Sequence, residues 1–485
     1  MSRLENRDRP ALWIGGATLT YDALARLGDM LIDRSAADAG VVAIVGGRTI
    51  ATYAAIYACL SRGVAYVPVN PRWPIARIHR ILAAAAPDAV LVDAGDAARD
   101  TAAAMVAAGG AAIWRIADDG TSERLVHARA VAMRPYDASG LAYVMFTSGS
   151  TGEPKGVPIP SAAVDHYAAA ISDLVRFDAT DRFIQSVELT FDLSVHDMTL
   201  CWGAGAMLCV VPEGAAPLGP RFVRQLEATH WLSVPSVAAQ GKNLKLLRAG
   251  ALPSLRTGFF CGEALAAPLA ASCREAAPNA RLFNIYGPTE ATIAFSAFDY
   301  TDHALTDPIV PLGWPIGGQH MRIDPVTDEI MLAGPQLSPG YLADPARTAA
   351  AFVEQDGRRW YRTGDRGYVD PAQGFIYRGR LDAQIKLRGY RVELGDVEAA
   401  LRRHSGSDLV AAIPVREIGP SSFDGIVGVI GGAPDGADLA DIRSAMRQDL
   451  PDYMLPERLI AMETMPKNAS DKVDHRALRR MIADG

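Results

Sequence analysis

The first 260 of the 485 residues alternate short apolar runs with amphipathic stretches, and this alternation restricts the fold more than any other feature. Val41–Val45, Ala65–Val69 and residues 89–92 have the length and apolar character of buried strands. Between them, Ile75–Ala85 carries its apolar residues at helical spacing. Strands that alternate with helices predict parallel sheets covered by helices, which is an α/β fold of the doubly wound type.

The chain is too long for a single hydrophobic core, so two or more domains are expected. From residue 308 to residue 377, short strands such as 329–332 alternate with Gly, Pro and Asp turns, which predicts a small β-barrel-like module. After residue 380 the pattern is again mixed, with a helix, a strand and a helix predicted over residues 395–403, 425–430 and 439–450. We therefore predict a large N-terminal domain, residues 1–381, and a small α+β C-terminal domain, residues 382–485.

The bulk composition excludes several classes of partner. A net charge of −7 and a pI of about 5.8, without a basic run, argue against nucleic acid. No apolar stretch reaches the roughly 18 residues that a membrane helix needs, and the charged N-terminus has no signal-peptide core. The five cysteines are scattered, which fits a reducing compartment and no zinc site. We expect a cytoplasmic protein that binds neither nucleic acid nor membrane.

A polar loop follows the strand-like residues 141–146 in the segment YVMFTSGSTGEPKGVP, residues 143–158. Its hydroxyls and the backbone N–H groups of its glycines can bind an anion, and Lys155 adds a compact charge. The P-loop pattern is not met, because Pro154 and Gly156 flank this lysine and no Ser or Thr follows it. Composition alone leaves two interpretations open, a phosphate-binding loop and a flexible surface loop.

Eight further motifs accompany this loop in a fixed order. They are LTYDAL (19–24), GVAYVPVNP (63–71), FNIYGPTEAT (283–292), PQLSPGYLADP (335–345), YRTGDRG (361–367), YRGRLDAQIKLRGYRVELGDVE (377–398), LPDYMLP (450–456) and NASDKVDHRAL (468–478). In sequence and order they resemble the motifs of the adenylate-forming superfamily, which includes acyl-CoA synthetases, luciferases and the adenylation domains of nonribosomal peptide synthetases. The resemblance spans almost the whole chain, from residue 19 to residue 478.

The resemblance implies an ATP-dependent ligase that catalyses two half-reactions. A carboxylate attacks the α-phosphorus of ATP to give an acyl-adenylate and pyrophosphate, and a thiol then displaces AMP to give a thioester. Two anions must be brought together while charge accumulates on phosphorus oxygens, so positioned donors, cations and Mg²⁺ are expected.

The resemblance also assigns the phosphate-binding residues. The loop over the β- and γ-phosphates would comprise Thr147, Ser148, Gly149, Ser150, Thr151, Gly152 and Lys155. Thr289 would contact the α-phosphate, and Glu290 would bind Mg²⁺, because a carboxylate near a triphosphate requires a metal between them.

Four residues are assigned to the nucleoside. Tyr286 would stack on adenine, and Asp365 would accept hydrogen bonds from both ribose hydroxyls. The alternative for Asp365 is a turn residue in Thr-Gly-Asp. Gly262 and Arg380 would also contact the nucleotide.

Lys472 resembles the lysine that reaches from the C-terminal domain to the reacting carboxylate and the α-phosphate; the alternative is a solvated surface lysine. Only six of the 48 basic residues are lysines, which favours a specific role. The usual Asn-Gly before this lysine is Ser-Asp at 470–471, which removes the conformational freedom of glycine and adds a negative charge. Asp382 matches the hinge of a mobile C-terminal domain, and Lys386 and Gly389 would face the active site during thioester formation.

Asp192 in ELTFDLSVHDM, residues 188–198, indicates the class of acid. Members that activate amino acids carry Phe-Asp-x-Ser here, and the aspartate binds the substrate ammonium group. A buried carboxylate requires a partner cation, and an amino acid brings one. The structural alternative is an N-cap for a helix that follows Asp192.

The resemblance to peptide-synthetase adenylation domains also gives the residues around the substrate side chain. They are Leu193, His196, Leu232, Phe259, Cys261, Ile285, Ile293 and Ala294. The set has no carboxylate or lysine and several bulky residues, so a small neutral amino acid is expected: alanine, glycine or serine, with proline next. The segment FFCGEAL also resembles D-alanine:carrier-protein ligases. His196 is either a hydrogen-bond partner for serine or a wall residue, and Cys261 is expected to be an apolar filler.

The predicted thiol acceptor is the phosphopantetheine of a separate carrier protein, because no carrier-protein motif follows residue 478. Coenzyme A is the alternative acceptor and would need a basic patch for its 3′-phosphate. A non-catalytic protein that binds a nucleotide or an amino acid is the alternative of a different class. The arginine-rich composition favours natural-product biosynthesis.

Overall fold

The computed structural model describes residues 7–95, 101, 111–126, 136–147, 154–382, 384–432, 438–466 and 473–484. The strands are β1 Pro10–Ile14, β2 Ala17–Thr20, β3 Val41–Val45, β4 Ala65–Val69, β5 Ala89–Asp93, β6 Ala112–Ile116, β7 Ser122–Val126, β8 Leu141–Thr147, β9 Lys155–Pro160, β10 Arg182–Gln185, β11 Met207–Val210, β12 His230–Ser233, β13 Thr257–Phe260, β14 Arg281–Tyr286, β15 Ser296–Asp299, β16 Trp314–Pro315, β17 His320–Ile323, β18 Glu329–Ala333, β19 Phe352–Gln355, β20 Arg358–Asp370, β21 Gly374–Arg380, β22 Gln384–Leu387, β23 Tyr390–Glu393, β24 Val410–Gly419, β25 Ser422–Gly431 and β26 Arg458–Met462.

The α-helices are α1 Tyr21–Ser35, α2 Ile50–Arg62, α3 Ile75–Ala85, α4 Ser161–Leu174, α5 Leu193–Ala204, α6 Gly219–Gln225, α7 Pro235–Asn243, α8 Ala267–Ala276, α9 Pro345–Ala351, α10 Leu394–Ser405, α11 Leu439–Ala445 and α12 His475–Asp484. Short 3₁₀ helices cover Ala216–Leu218, Thr289–Ala291, Met446–Gln448 and Asp452–Met454. The predicted α/β fold is confirmed.

The first sheet has seven strands in the order β7-β6-β5-β3-β4-β8-β9. The five central strands are parallel, and β7 and β9 are antiparallel edges. Every residue of β3, β4 and β5 is buried, which explains their nearly continuous apolar runs. The strands predicted at 41–45 and 65–69 and the helix at 75–85 have those bounds in the structure.

The second sheet has nine strands in the order β16-β15-β14-β13-β12-β10-β11-β1-β2. Its strands from β14 to β1 in this order are parallel, and antiparallel strands flank them at both edges. The carboxyl ends of β13 and β14 lead into Cys261 and Gly287. Ligands of open α/β sheets bind at such carboxyl ends, so this edge is where a site is expected.

The third sheet is the predicted β-rich module and contains β17 to β21, all antiparallel. The thirteen-residue β20 pairs with β18, β19 and β21 and therefore connects the whole module. The module is joined to the second sheet at Gly313, whose carbonyl accepts a hydrogen bond from the Phe375 N–H and whose backbone bridges to Gly374. The N–H of the preceding Leu312 donates to the Phe375 carbonyl.

The fourth sheet, β23-β22-β25-β24 with β26 beside β25, forms the core of the chain end. We call the described residues from Gln384 onward the C-terminal unit and residues 7–382 the body. Instead of one helix over 439–450, α11 ends at Ala445 and a 3₁₀ turn follows, because the chain tightens before Pro451. In the described part of the chain, no helix has the length and apolarity required to cross a membrane.

A substitution at Gly313 tests the junction between the second and third sheets. Gly313 has φ +75°, and a Cβ there would overlap the carbonyl oxygen of Ala297. We expect Gly313→Ala to lower the free energy of unfolding by about 3 kcal/mol, measured by urea titration. Gly318→Ala is the matched control, since its φ is +72° with no atom within 4 Å, and it should cost only about 1 kcal/mol. Equal losses would contradict this account of the junction.

Candidate active site

A cavity lies where the carboxyl ends of β8 and β14 face the C-terminal unit. Its body wall comes from three loops and from the third sheet, and β22, β23 and their turn close it from the other side. The predicted site residues that line it are Thr147, Asp192, Leu193, Cys261, Gly262, Ile285, Tyr286, Thr289, Asp365, Arg380, Lys386 and Gly389. Residues from six separate segments of the chain therefore converge on one cavity.

The carboxylate of Asp365 is fully engaged by protein groups. Tyr286 Oη donates to its Oδ2 at 2.7 Å, and Arg380 Nη1 donates to its Oδ1 at 2.6 Å. Arg380 also binds Asp382 through Nε and Nη2, both at 2.7 Å. The predicted adenine, ribose and hinge residues thus form one hydrogen-bonded chain at one end of the cavity.

Glu290 is completely buried and accepts hydrogen bonds on both carboxylate oxygens. Arg391 Nη1 lies 2.9 Å from Oε2 and 3.3 Å from Oε1, and Tyr341 Oη donates to Oε1 at 2.9 Å. Burial alone would raise the pKa of Glu290, but Arg391 and Lys155 outweigh it and lower the pKa to about 2. Glu290 is therefore ionised at any physiological pH.

The residues do not fit a metal ion in this arrangement. A divalent cation on the Glu290 oxygens would lie against the Arg391 guanidinium, which already neutralises the carboxylate. Within the described ranges no group of three or more His, Cys, Asp or Glu side chains could hold a metal. The predicted magnesium ligand is in the site, but Arg391 takes the position of its cation.

Three consecutive residues of the C-terminal unit bind three glutamates of the body. The backbone N–H of Gly389 donates to Glu263 Oε1 at 2.5 Å, and Tyr390 Oη donates to Glu188 Oε1 at 2.8 Å. Arg391 binds Glu290 as described above. This contact fixes the turn between β22 and β23 against the body.

Asp192 is the second carboxylate of the cavity and differs from Asp365 in its partners. It is 7% exposed, and its Oδ2 has no hydrogen-bond partner among the described residues. Burial raises its pKa to about 6, although hydrogen bonds from the Thr289 side chain and the Ile293 backbone oppose the shift. Asp192 occupies the N-cap position of α5, but its side chain makes no capping hydrogen bond.

The predicted side-chain pocket is only partly open to this cavity. Asp192, Leu193, Cys261 and Ile285 line it. The residues that instead lie buried behind its wall are His196, Leu232, Phe259, Ile293 and Ala294. Aromatic packing fills the space around them: Phe259 stacks on Phe283 and contacts the His196 ring edge-on. Their place around a substrate side chain stays a prediction.

His196 and Cys261 are buried residues that are uncharged at neutral pH. Tyr167 Oη and His196 Nδ1 lie 2.5 Å apart, and burial lowers the pKa of this histidine to about 3, so it is neutral and packs behind the cavity wall. Burial and Asp192 raise the pKa of Cys261 to about 12, so its thiol is not a nucleophile at neutral pH.

Lys155 begins β9 and lies outside the cavity lining. It is buried, with Nζ 3.5 Å from Glu393 Oε1, and burial lowers its pKa. Thr147 is paired with Lys155 across β8 and β9 and has an unpartnered hydroxyl within the described region. The remaining predicted residues, Ser148, Gly149, Ser150, Thr151, Gly152 and Lys472, lie outside the described residues.

Sequence reasoning missed several residues that shape the site. They are Arg391, Tyr341, Glu263, Glu188 and Gln336. All lie in or beside quoted motifs, but no local pattern pairs residues that are about 100 positions apart, such as Glu290 and Arg391.

A second cavity adjoins the first and shares Thr190, Phe191, Leu193 and Gly389 with it. It contains three arginines, and each is engaged. Arg48 donates to the carbonyls of Val211 and Ser186, Arg72 pairs with Glu213, and Arg388 pairs with Asp424.

The chain is similar to known proteins over most of its length. Residues 3–342 match the model of the AMP-binding enzyme family. The chain is 30% identical to the D-alanine–D-alanyl carrier protein ligase of Bacillus licheniformis, over 96% of this chain and 94% of that protein. It is 32% identical to the L-proline–[L-prolyl-carrier protein] ligase of Pseudomonas fluorescens, over 90% and 88%. It is 31% identical to malpinin synthetase of Mortierella alpina but spans only 6% of that protein's length.

Among solved structures, the fold matches the adenylation domain AlmE of Vibrio cholerae in complex with glycyl-adenosine-5′-phosphate. The TM-score is 0.88 at 30% identity, and the match covers 99% of this chain and 96% of that one.

Asp192→Asn tests the unpaired carboxylate. Because the native pKa is about 6 and the ordinary value is 3.8, the folded protein holds a proton that the unfolded chain releases between these values. Stability therefore falls as pH rises through this window and stays low above it. We expect Asp192→Asn to raise the free energy of unfolding by about 2 kcal/mol at pH 7.5, with no gain at pH 4, by urea titration. The same difference at both pH values would contradict the assigned pKa.

Proposed function

This chain belongs to the AMP-binding enzyme family, and we propose that it activates a small neutral amino acid as its adenylate. It is an adenylate-forming enzyme that uses ATP. The aminoacyl group then passes to the phosphopantetheine thiol of a separate carrier protein. The observation that carries the proposal is the buried Asp192 carboxylate, which lines the cavity with one oxygen unpartnered among the described residues. An amino acid supplies the missing cation through its ammonium group.

The small size of the substrate rests on the wall behind Asp192. Five predicted pocket residues are packed away from the cavity, and the aromatic stack of Phe259 and Phe283 supports that wall. A side chain larger than a few atoms would have to displace this packing, which is costly in a dense core. Alanine, glycine and serine are favoured, and proline is the next candidate because a relative is named as a prolyl ligase.

We propose that the described arrangement belongs to the second half-reaction. Lys386 and Gly389 line the cavity, as the family resemblance predicts for thioester formation. Mg²⁺ at Glu290 remains a prediction for another arrangement, in which Arg391 has left that carboxylate. Arg391 lies on β23, so its departure requires the C-terminal unit to move, and Asp382 is the proposed hinge between domains 1–381 and 382–485. Lys472 and the loop residues 148–152 keep their proposed roles in adenylation.

The second cavity is the proposed route for the thiol. It joins the first cavity beside Leu193 and Gly389, which is where an acceptor must approach the acyl carbon. Its three arginines already bind protein groups, so a 3′-phosphate would have to compete with these partners. This favours a carrier protein over coenzyme A. Natural-product assembly is the proposed setting.

Amino-acid-dependent exchange between ATP and pyrophosphate tests the first half-reaction. The panel should hold glycine, both enantiomers of alanine and serine, proline, leucine, and short fatty and aryl acids. We expect a strong signal from one small amino acid and none from leucine, because the wall leaves no room for it. A signal only from acids without an amine would contradict the role of Asp192 and favour an acyl-CoA synthetase.

A pair of thiols tests the acceptor. Once the amino acid is known, thioester formation is measured with pantetheine and with coenzyme A. We expect similar kcat/KM values, because the arginines described in the second cavity already bind protein groups, and a much higher value with a phosphopantetheinylated carrier protein. A preference of more than roughly tenfold for coenzyme A over pantetheine would contradict the carrier-protein assignment.

A further inference from the structure

A strained turn lies beside the amine-binding carboxylate. Thr292 and Ile293 have φ values of +56° and +70°, and the Ala294 backbone N–H donates to the Thr292 carbonyl at 2.9 Å. A three-residue turn with a positive φ at its central residue is rare and strained, and β-branched residues are seldom found at positive φ. Glycine is the residue that such a turn favours. Since the sequence has Thr-Ile instead, the surroundings must hold the turn in place.

Gln336 provides that support from the neighbouring segment. Its side chain is completely buried, and its amide Nε2 lies 2.8, 3.2 and 3.3 Å from the carbonyl oxygens of Ala294, Thr292 and Ala291. The Thr292 hydroxyl donates to the Gln336 carbonyl at 2.6 Å. One side chain therefore serves three buried carbonyls that would otherwise lose this donor.

The other end of Gln336 is also fixed. Its Oε1 lies 3.1 Å from His166 Nδ1 on α4. Two residues further on, the Ser338 backbone N–H donates to the Glu290 carbonyl at 2.8 Å, on the other side of the turn. The amide is thus oriented at both ends and cannot rotate without losing a bond.

The turn directs one backbone group at Asp192. The Ile293 backbone N–H and the Thr289 side chain lie close enough to the Asp192 carboxylate to lower its pKa. The Asp192 Oδ2 has no partner among the described residues. A small rotation of the turn would withdraw the Ile293 amide and free the carboxylate to turn away from the cavity.

We infer that Gln336 is a positioning residue for recognition of the substrate amine. It touches neither cavity nor substrate; it holds the turn that orients Asp192, so that one oxygen faces the ammonium group. The inference rests on the proposed function, because it assumes that Asp192 binds an amine. It assigns to the PQLSP segment a role in choosing amino acids over plain carboxylic acids.

The test compares amino acids with their desamino analogues in pyrophosphate exchange. The pairs are glycine with acetate, alanine with propionate and serine with 3-hydroxypropionate. For Gln336→Met we expect the preference for the amine, as a ratio of kcat/KM values, to fall at least about tenfold, with the loss in KM for the amino acid and little change in KM for ATP. Gln336→Asn has a shorter side chain whose amide cannot reach all three carbonyls, so the amine preference should fall less. This variant replaces Gln336→Met in the test if Gln336→Met does not fold.

Gln319→Met is the matched control. Gln319 is also buried, but neither polar atom of its side chain has a partner in the described residues, so its replacement should leave the ratio unchanged. A second check is rescue: Ile293→Gly allows positive φ without support and should restore the ratio in the Gln336→Met background.

The outcomes separate the inference from the proposed function. A folded Gln336→Met or Gln336→Asn variant that keeps the ratio of the unsubstituted protein overturns the inference, as does an equal loss for both members of each pair. An unsubstituted protein that does not prefer the amine contradicts the proposed function, and the inference with it.

Discussion

The buried ion pair between Glu290 and Arg391 connects the two parts of the molecule. Glu290 is on the body and is completely buried, whereas Arg391 is on the C-terminal unit with a side chain that is 15% exposed. Loss of one partner from such a pair typically costs about 3–5 kcal/mol, because a buried charge is left alone. The exposed pair of Arg388 and Asp424 contributes at most about 1 kcal/mol and lies within the C-terminal unit. The position of the C-terminal unit on the body therefore depends on the buried pair and on the neighbouring bonds of Gly389 and Tyr390.

Two carboxylates in one cavity have opposite environments, and the contrast explains what the cavity selects. Asp365 is held by Tyr286 and Arg380, so its charge is compensated by the protein. Asp192 forms no ion pair within the described residues, and burial raises its pKa although Lys386 attracts its charge. A site that keeps an uncompensated acid in its wall binds best a ligand that carries the missing positive charge.

Much of this could be predicted from the sequence, because apolar runs and ordered motifs are local signals. The bounds of β3, β4 and α3 follow from continuous apolar or helical patterns, and the motif residues Tyr286, Asp365 and Arg380 do converge on one cavity. The sequence is less informative where packing between distant residues determines which side chains line the cavity. Whether Phe259 lines a cavity or lies behind its wall depends on Phe283, which pairs with it only across neighbouring strands. The pair of Glu290 and Arg391 and the support of the turn by Gln336 join distant segments, and no periodicity or spacing predicts them.

The central claim is that Asp192 binds the ammonium group of the substrate. It is tested most directly by calorimetric titration with two stable adenylate analogues, aminoacyl-sulfamoyl-adenosine and the same molecule without its amino group. The account predicts that the amine-bearing analogue binds roughly a hundredfold more tightly, and that Asp192→Ala removes the difference. Equal affinities in the unsubstituted protein would contradict the claim. The cavity would then bind a nucleotide without any contribution from the contact between Asp192 and the ammonium group.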